Sequence, residues 1–166
     1  MDIRTICESD SEAFLLLGKT LDEETQFMML EPGERKLTVE EQRQRILAVL
    51  GRDNQTILVA EEENRLVGFL GIFGEGFRRN QHCAYIVIGI LQAYTGQGIG
   101  KQLFAAAEAW ALEKGLHRLE LTVMRHNDRA IRLYHQMGFM VEGIKQDSLR
   151  VNDRYIDEIY MAKLLG

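Results

Sequence analysis

The sequence contains only two cysteines and a single proline among its 166 residues. Cys7 and Cys83 form no CxxC pair and have no histidine at metal-ligand spacing, so neither a disulfide framework nor a zinc site is indicated. Pro32 stands beside Gly33 and marks a loop, and no repeat, linker or low-complexity tract divides the chain. We therefore expect one domain over residues 1–166, with reduced thiols and no metal.

Positive charge and long apolar runs are scarce as well. Lys and Arg number 20 against 25 Asp and Glu, which gives a formal net charge of −5. A nucleic-acid surface needs clustered cations that displace counterions from phosphates, so nucleic acid is not an expected partner. No stretch reaches the length of a membrane span, and charges at Asp2 and Arg4 replace the apolar run of a signal peptide. The expected protein is soluble and cytoplasmic, with no membrane partner.

Hydrophobic residues are plentiful, at 46% of the chain, which is enough to bury one sizeable core. Their spacing predicts a mixed α/β sheet of about seven strands with about four helices, in the order β-α-α-β-β-β-α-β-α-β-β. Gly18 is expected to end the first helix, and residues 19–37 are expected to be irregular. The predicted strands are 1–7, 56–61, 66–73, 84–91, 118–123, 139–144 and 155–164, and the predicted helices are 10–18, 38–50, 99–114 and 128–137.

A glycine-rich turn follows the most apolar of these strands. Residues 84–91 are apolar on both faces, as in a central strand, and residues 94–101 read Tyr-Thr-Gly-Gln-Gly-Ile-Gly-Lys before an amphipathic helix. The first N–H groups of a helix have no partner within it, and the helix dipole adds about half a positive charge there. Glycine lets a phosphate approach these groups without a Cβ in the way. We therefore expect an anion site that a pyrophosphate fills best.

Two nucleotide-binding motifs do not fit this turn. A Walker loop ending at Gly100 and Lys101 would need glycine at position 95 and Ser or Thr at 102, where the chain has Thr95 and Gln102. A dinucleotide fingerprint that starts at Gly96 would need Gly or Ala where Lys101 stands. Taken alone, the glycines are also compatible with a tight strand-to-helix turn that binds nothing.

The residues of the turn carry a family resemblance. Gly96-Gln97-Gly98-Ile99-Gly100, followed by Leu103, resembles the acyl-CoA loop of the GNAT N-acetyltransferases, Q/R-x-x-G-x-G/A. Thr95 departs from the pattern at the Q/R position, which removes one positive or amide side chain beside the phosphates and leaves most of the binding to the main-chain N–H groups. Lys101 is the residue that would compensate.

A second motif lies further along the chain. Asn127-Asp128-Arg129-Ala130-Ile131-Arg132-Leu133-Tyr134, with Gly138-Phe139 and Gly143, is similar to the family's N-x-x-A-x-x-L-Y-x-x-x-G-F-x-x-x-G. The segment Tyr155–Met161 resembles the family's final strand, and residues 142–164 look like members related to the spermidine and ribosomal-protein alanine acetyltransferases. The resemblance covers the chain from about residue 56 to its end, in the family's order and spacing.

The resemblance implies an activity and a set of site residues. The implied reaction transfers an acetyl group from acetyl-CoA, a co-substrate, to a primary amine by direct attack in a ternary complex, so that the cysteines need no role. Tyr134 corresponds to the family's general acid for the departing thiol, and the strand before the turn is expected to splay from its neighbour near Gly89. The implied coenzyme-binding residues are Ile88, Gly89, Ile90, Thr95, Gly96, Gln97, Gly98, Ile99, Gly100, Lys101 and Asn127.

Several alternatives stay open at this point. Asn127 is also a good helix cap, and Tyr134 would also suit a packed core. The acceptor is a small molecule or a peptide terminus, and the acids of residues 19–37 either attract its amine or form a solvated charge run. A homodimer is common among family members. A catalytically silent acyl-CoA-binding or sensor protein and a structural interaction protein are the other two functions considered. The histidines, expected to be surface or packing residues, are His82, His117, His126 and His135.

Overall fold

The computed structural model describes all 166 residues and contains seven strands and four helices. Short 3-10 turns at Glu8–Asp10 and Gln92–Tyr94 precede the first and third helices. The predicted order of elements is confirmed. The strands are β1 (Asp2–Thr5), β2 (Gln55–Glu62), β3 (Arg65–Gly74), β4 (Cys83–Ile90), β5 (Arg118–Met124), β6 (Met140–Val151) and β7 (Arg154–Leu164), and the helices are α1 (Ser11–Glu24), α2 (Val39–Leu50), α3 (Ile99–Glu113) and α4 (Asp128–Gln136).

The seven strands form one open sheet in the order β1-β2-β3-β4-β5-β7-β6. Neighbouring strands are antiparallel except β4 and β5, which are parallel and are connected through α3. Tight turns suit the antiparallel pairs: Glu63 and Asn64 take positive φ between β2 and β3, as do Asn152 and Asp153 between β6 and β7. The central position predicted for the strand before the glycine turn is confirmed, since β4 is fourth of seven.

The helices cover the sheet and close its core. Helix α1 packs on α2 and β3, α2 on β2, and α3 across the first four strands. The buried core is a single cluster of 29 residues that includes Leu70 and Ile72 of β3 and Leu103 of α3. Burial of this much apolar surface is the main term that stabilises such a fold. No helix in the chain has both the length and the apolar character needed to cross a lipid bilayer.

Helix α1 is longer than the sequence indicates, and the prediction that it ends at Gly18 is wrong. The helix continues to Glu24, so residues 19–24 are not irregular. A Cβ at Gly18 would lie 3.0 Å from Nε of Arg35, so the missing side chain makes room for that guanidinium. Arg35 pairs through two nitrogens with the buried carboxylate of Asp22, at 2.7 and 3.0 Å. Gly18 therefore serves a long-range ion pair and does not end the helix.

The ends of the other elements lie close to the predicted positions, with one exception. Thr38 caps α2 and forms the predicted capping box with Glu41, and Gly115 follows α3 with φ of +76°. Strand β6 extends to Val151, well beyond residue 144. Its second half is polar and contains an irregularity between Lys145 and Leu149, so it lacks the alternation that identifies a strand in a sequence.

Candidate active site

Strands β4 and β5 separate after a short common stretch. They pair only at Cys83 with Arg118, Ala84 with Leu119, and Tyr85 with Glu120, although both strands continue beyond those residues. A cleft opens between the unpaired parts of the two strands. The expected splay is therefore present, but it begins at Tyr85 and not at Gly89.

A side chain occupies the point where the strands part. The hydroxyl of Tyr85 lies 2.5 Å from the hydroxyl of Thr122 on β5, and it accepts the main-chain N–H of Thr122 at 3.3 Å. The Tyr85 phenol thus takes the position that the next main-chain acceptor of β4 would occupy in a continuing ladder. The sequence analysis did not identify this pair. Its only signal was a polar aromatic residue within an otherwise apolar strand.

Gly89 serves the packing behind the cleft. A Cβ at this position would lie 2.8 Å from Cδ1 of Leu21 and 3.0 Å from Cε1 of Phe69. Leu21 belongs to α1, so glycine lets the helix approach the sheet closely.

The β4 edge of the cleft is lined by main-chain groups that have no main-chain partner on β5. Leu91 donates its N–H to the carbonyl of Val67 at 2.9 Å. In an antiparallel pair successive residues alternate in direction, so Gly89 also faces β3 whereas Ile88 and Ile90 face the cleft. The geometry therefore makes Ile88 and Ile90 the β4 residues whose N–H and C=O groups a ligand can reach.

The opposite edge follows the same rule. Arg125 donates its N–H to the carbonyl of Asp157 at 2.9 Å, so Thr122 and Met124 face the cleft. The Thr122 N–H is bonded to Tyr85 and the Met124 carbonyl to the N–H of Asn127, which leaves the carbonyl of Thr122 and the N–H of Met124. An extended ligand between β4 and β5 would thus find peptide groups on both sides.

The glycine turn lies at the end of β4 and presents a run of free donors. Gly96 and Gly98 adopt φ of +77° and +83°, and a Cβ at either position would meet no protein atom within 4 Å. The first N–H of the helical ladder is that of Gln102, which bonds to the carbonyl of Gly98 at 3.1 Å. From Gly96 to Lys101, no main-chain N–H has an acceptor in the chain. This is the geometry of an anion site.

Side chains around the turn hold it in place. The Thr95 hydroxyl donates to the carbonyl of Gln92 at 2.8 Å, and the Gln97 amide donates to the carbonyl of Ala93 at 3.2 Å. Both residues therefore stabilise the 3-10 turn that precedes the glycines. Lys101 lies in the first turn of α3, where Ile99 is buried and Lys101 is exposed, and it forms no ion pair. Its charge is thus available to an anion at the turn.

Gly100 brings the two predicted motifs together. A Cβ at Gly100 would lie 2.7 Å from Cδ2 of Leu133, so the start of α3 packs directly against α4. Leu133 precedes Tyr134, the predicted general acid, and Ile90 packs against the same site. The glycine turn and α4, which carries Tyr134, therefore form one wall of the cleft, although α3 and β5 separate them in the sequence.

Tyr134 is almost completely buried, with 7% of its surface exposed. Its ring packs edge-on against Phe104, with centroids 5.7 Å apart, and it lies beside Phe139. Its hydroxyl makes no hydrogen bond in the chain. Every fully buried side-chain N or O atom has a hydrogen-bond partner, so the Tyr134 hydroxyl is not fully buried and reaches the cleft. Burial, and then the nearby Tyr85, raise the pKa of this phenol far above its usual range. It therefore stays protonated, the form that a general acid needs.

Asn127 caps α4 and also lines the cleft. Its side-chain oxygen accepts the N–H of Ala130 at 3.4 Å, which is the cap that the sequence allowed. The amide nitrogen has no partner in the chain, so a donor remains for a ligand. The cap and a ligand contact are thus compatible in one side chain.

The cleft widens into a cavity of about 1160 Å³. One half is formed by β4, α4 and Thr95, beyond which the glycine turn continues, and the other half by β5, β7 and the connection between α1 and α2. Residues 25–30 of that connection line the cavity, and the Phe27 ring lies 5.0 Å from His126 beyond the end of β5. We call these the coenzyme half and the acceptor half, respectively.

The acidic side chains of residues 19–37 have different partners. Glu24 lines the cavity, and its carboxylate accepts the N–H of Gln92 at 2.9 Å. Asp22 is buried in its pair with Arg35, and Glu34 accepts the main-chain N–H of Glu31. One buried carboxylate in the acceptor half, Glu158 of β7, was not identified from the sequence.

Comparison with known proteins agrees with this geometry. The family model described as Acetyltransferase (GNAT) family matches residues 19–139. A GNAT-family acetyltransferase from Streptococcus pneumoniae has a structure that superposes with a TM-score of 0.95 at 30% identity, covering 99% of both chains. The chain therefore belongs to the GNAT acetyltransferase family.

Other relatives carry more specific names. The structure of a ribosomal-protein-alanine N-acetyltransferase from Brucella melitensis is 26% identical, with a TM-score of 0.86 and coverage of 99% and 100% of the two chains, so the predicted likeness to that type is confirmed. A Salmonella typhimurium structure described with its cofactor acetyl-CoA shares the fold, with a TM-score of 0.88 at 20% identity over 99% and 94% of the chains.

A curated relative matches over a shorter stretch. It is an uncharacterised N-acetyltransferase, YycN of Bacillus subtilis, which is 36% identical over 77 residues. That alignment covers 46% of this chain and 49% of the relative, so the chain spans about half the length of the curated relative it matches.

Proposed function

We propose that the protein is an acetyl-CoA-dependent N-acetyltransferase that transfers the acetyl group to a primary amine by direct attack in a ternary complex. The observation that carries the proposal is the run of unpaired N–H groups from Gly96 to Lys101, directly after Thr95, which lines the cavity that the Tyr134 hydroxyl also reaches. A pyrophosphate satisfies several adjacent donors at once, which a single carboxylate does not.

The coenzyme would extend from the turn along β4. Its pyrophosphate binds the N–H groups of the turn, where Thr95 and Gln97 hold the backbone and Lys101 adds a charge. Its pantetheine arm adds to the free edge of β4 through Ile88 and Ile90, as a peptide adds to a sheet. The amide of Asn127 supplies a further donor from α4. In this arrangement Gly89 contributes through packing.

The chemistry follows from the groups at the end of the cleft. The nitrogen lone pair of a neutral amine attacks the thioester carbonyl carbon, a C–N bond forms, and the C–S bond breaks. The departing sulfur takes the phenolic proton of Tyr134, and the proton lost by the nitrogen restores the phenol. A lysine-like amine has a pKa near ~10.4, so it must also lose a proton before attack. The cysteines take no part.

The relatives support this assignment. The Salmonella typhimurium neighbour was determined with acetyl-CoA, and the Brucella melitensis neighbour is a ribosomal-protein-alanine N-acetyltransferase. A coenzyme on the same fold would place its thioester beside Tyr134. A catalytically silent acyl-CoA-binding protein would have no use for a protonated phenol at that position.

Two measurements test the proposal. A ligand that binds only the native state raises the free energy of unfolding by about 2.7 kcal/mol at a hundredfold excess over Kd, so acetyl-CoA should shift the thermal transition. A free-thiol assay with amino-acid amides, peptides, polyamines and aminoglycosides should then release CoA with at least one class. Binding without release would favour the silent protein, and neither binding nor release would refute the proposal.

A further inference from the structure

The acceptor half of the cavity is largely apolar. Its lining includes Phe27, Met28 and Met29 of the α1–α2 connection and Leu149 of β6. Glu24 and Glu158 are the only carboxylates among the residues that line the whole cavity. Glu24 is exposed and accepts the N–H of Gln92 through one oxygen, so Glu158 is the only buried carboxylate of the lining.

Glu158 is a buried carboxylate with one oxygen engaged. Only 6% of the residue is exposed, and Oε1 accepts the Ser148 hydroxyl at 2.9 Å. The Lys145 ammonium forms a long ion pair with the same oxygen, at 3.8 Å, and lies over the ring of Tyr160 at 5.5 Å. Oε2 has no hydrogen-bond partner in the chain. Every fully buried side-chain N or O atom has such a partner, so Oε2 is not fully buried and opens to the cavity.

The sheet register places this oxygen near the reaction site. Glu158 lies opposite Met124 on β5, and Met124 is two residues beyond Thr122, about 7 Å along the strand. Thr122 is bonded to Tyr85, which is close enough to influence the pKa of Tyr134. Side chains two residues apart on a strand share a face, so Glu158 and Thr122 face the same side of the sheet.

We propose that Oε2 of Glu158 accepts a hydrogen bond from the acceptor's ammonium group, and that the acceptor is therefore a monoamine with an apolar body. This inference rests on the proposed acetyl transfer. The free oxygen of one buried carboxylate can accept from one ammonium, whereas a polyamine or an aminoglycoside would have to place further charges against Phe27, Met28 and their neighbours. Glu158 is thus a specificity-determining residue of the acceptor half.

The test is steady-state kinetics by thiol release with three probes: phenylalaninamide, spermidine and kanamycin. With the wild-type chain, phenylalaninamide should have the highest kcat/KM. Glu158→Gln should lower kcat/KM for phenylalaninamide by about 10- to 100-fold, mainly through KM, because a charge-assisted hydrogen bond is lost. The KM for acetyl-CoA should not change.

Two further variants serve as controls. Glu142→Gln removes an exposed carboxylate of β6 that pairs only with Arg118, and it should leave both KM values unchanged. Glu158→Asp retains the charge and should recover part of the loss. Acetyl-CoA binding by each variant reports whether it is folded.

The outcomes separate the two proposals. If Glu158→Gln behaves like Glu142→Gln, or if spermidine or kanamycin is the best substrate of the wild type, the role of Glu158 is wrong while acetyl transfer stands. The order of the wild-type kcat/KM values for the three probes tests the proposal even if Glu158→Gln does not fold. If the wild type neither binds acetyl-CoA nor releases thiol with any probe, the proposed function itself fails.

Discussion

The two halves of the cavity are built from different parts of the polypeptide. The coenzyme half presents main-chain groups: the donors from Gly96 to Lys101 and the free edge of β4. The acceptor half presents side chains from distant segments, such as Phe27 and Glu158. Main-chain groups are the same whatever the sequence, so a coenzyme site made from them needs only glycines at a few positions. An acceptor site made from side chains changes with each substitution.

The largest effect on activity is expected at Tyr134, where the two halves meet. Tyr134→Phe removes the proton donor while retaining the ring that packs against Phe104. We expect the turnover rate to fall by about 10²-fold or more, the usual scale for a lost general acid, with little change in acetyl-CoA affinity. Single-turnover thiol release and calorimetric titration would measure the two quantities. An unchanged rate would remove Tyr134 from the mechanism.

Arg35→Ala tests the ion pair that holds the α1–α2 connection, which lines the acceptor half, against α1. It leaves the Asp22 carboxylate, which is 2% exposed, without a partner, and we expect the free energy of unfolding to fall by about 3 kcal/mol. Because Arg35 also joins the α1–α2 connection to α1, the amine KM should rise while the acetyl-CoA Kd stays the same. Urea denaturation and kinetics would show this.

The control is Lys36→Ala, which removes an exposed cation beside Arg35 that has no ion pair and does not line the cavity. We expect it to change the free energy of unfolding by less than about 0.5 kcal/mol. Equal destabilisation by both variants would contradict the role given to the buried pair.

Gly98→Ala tests the coenzyme half. Gly98 and Gly115 have similar positive φ, +83° and +76°, and a Cβ at either would meet no protein atom within 4 Å. The two alanine variants should therefore lose similar stability, about 1–2 kcal/mol. Only Gly98→Ala should weaken acetyl-CoA binding, by about 10-fold or more, which corresponds to at least about 1.4 kcal/mol. Equal affinity in both variants would mean that the turn does not bind the coenzyme.

The smallest effect is expected at Asn127. Asn127→Asp retains a good helix cap, whereas Asn127→Ala loses it at about 1 kcal/mol of stability. If the amide nitrogen contacts the coenzyme, both variants should weaken acetyl-CoA binding, although only the alanine variant is destabilised. Full affinity in Asn127→Asp would reduce the residue to its capping role.

The same comparison explains what the sequence could reveal. The glycine turn and the α4 motif are local patterns, so the order of elements and the turn were accessible from spacing, and Tyr134 from the resemblance of the α4 motif to the GNAT family. Gly18 was misjudged because its neighbour, Arg35, comes from another segment and pairs with Asp22. Glu158 was missed because its importance depends on the strand register that brings β7 beside the end of β5. Contacts across the sheet are not encoded in any local period.

We expect the N–H groups of the glycine turn to hold the coenzyme's pyrophosphate. Titration of isotopically labelled protein with CoA, observed through the amide resonances of residues 96–101, tests it most directly. These resonances should show large, saturable shifts at CoA concentrations that also stabilise the fold, with no comparable shift at Gly115. Saturable binding that leaves the amides of Gly96 to Lys101 unperturbed would contradict it.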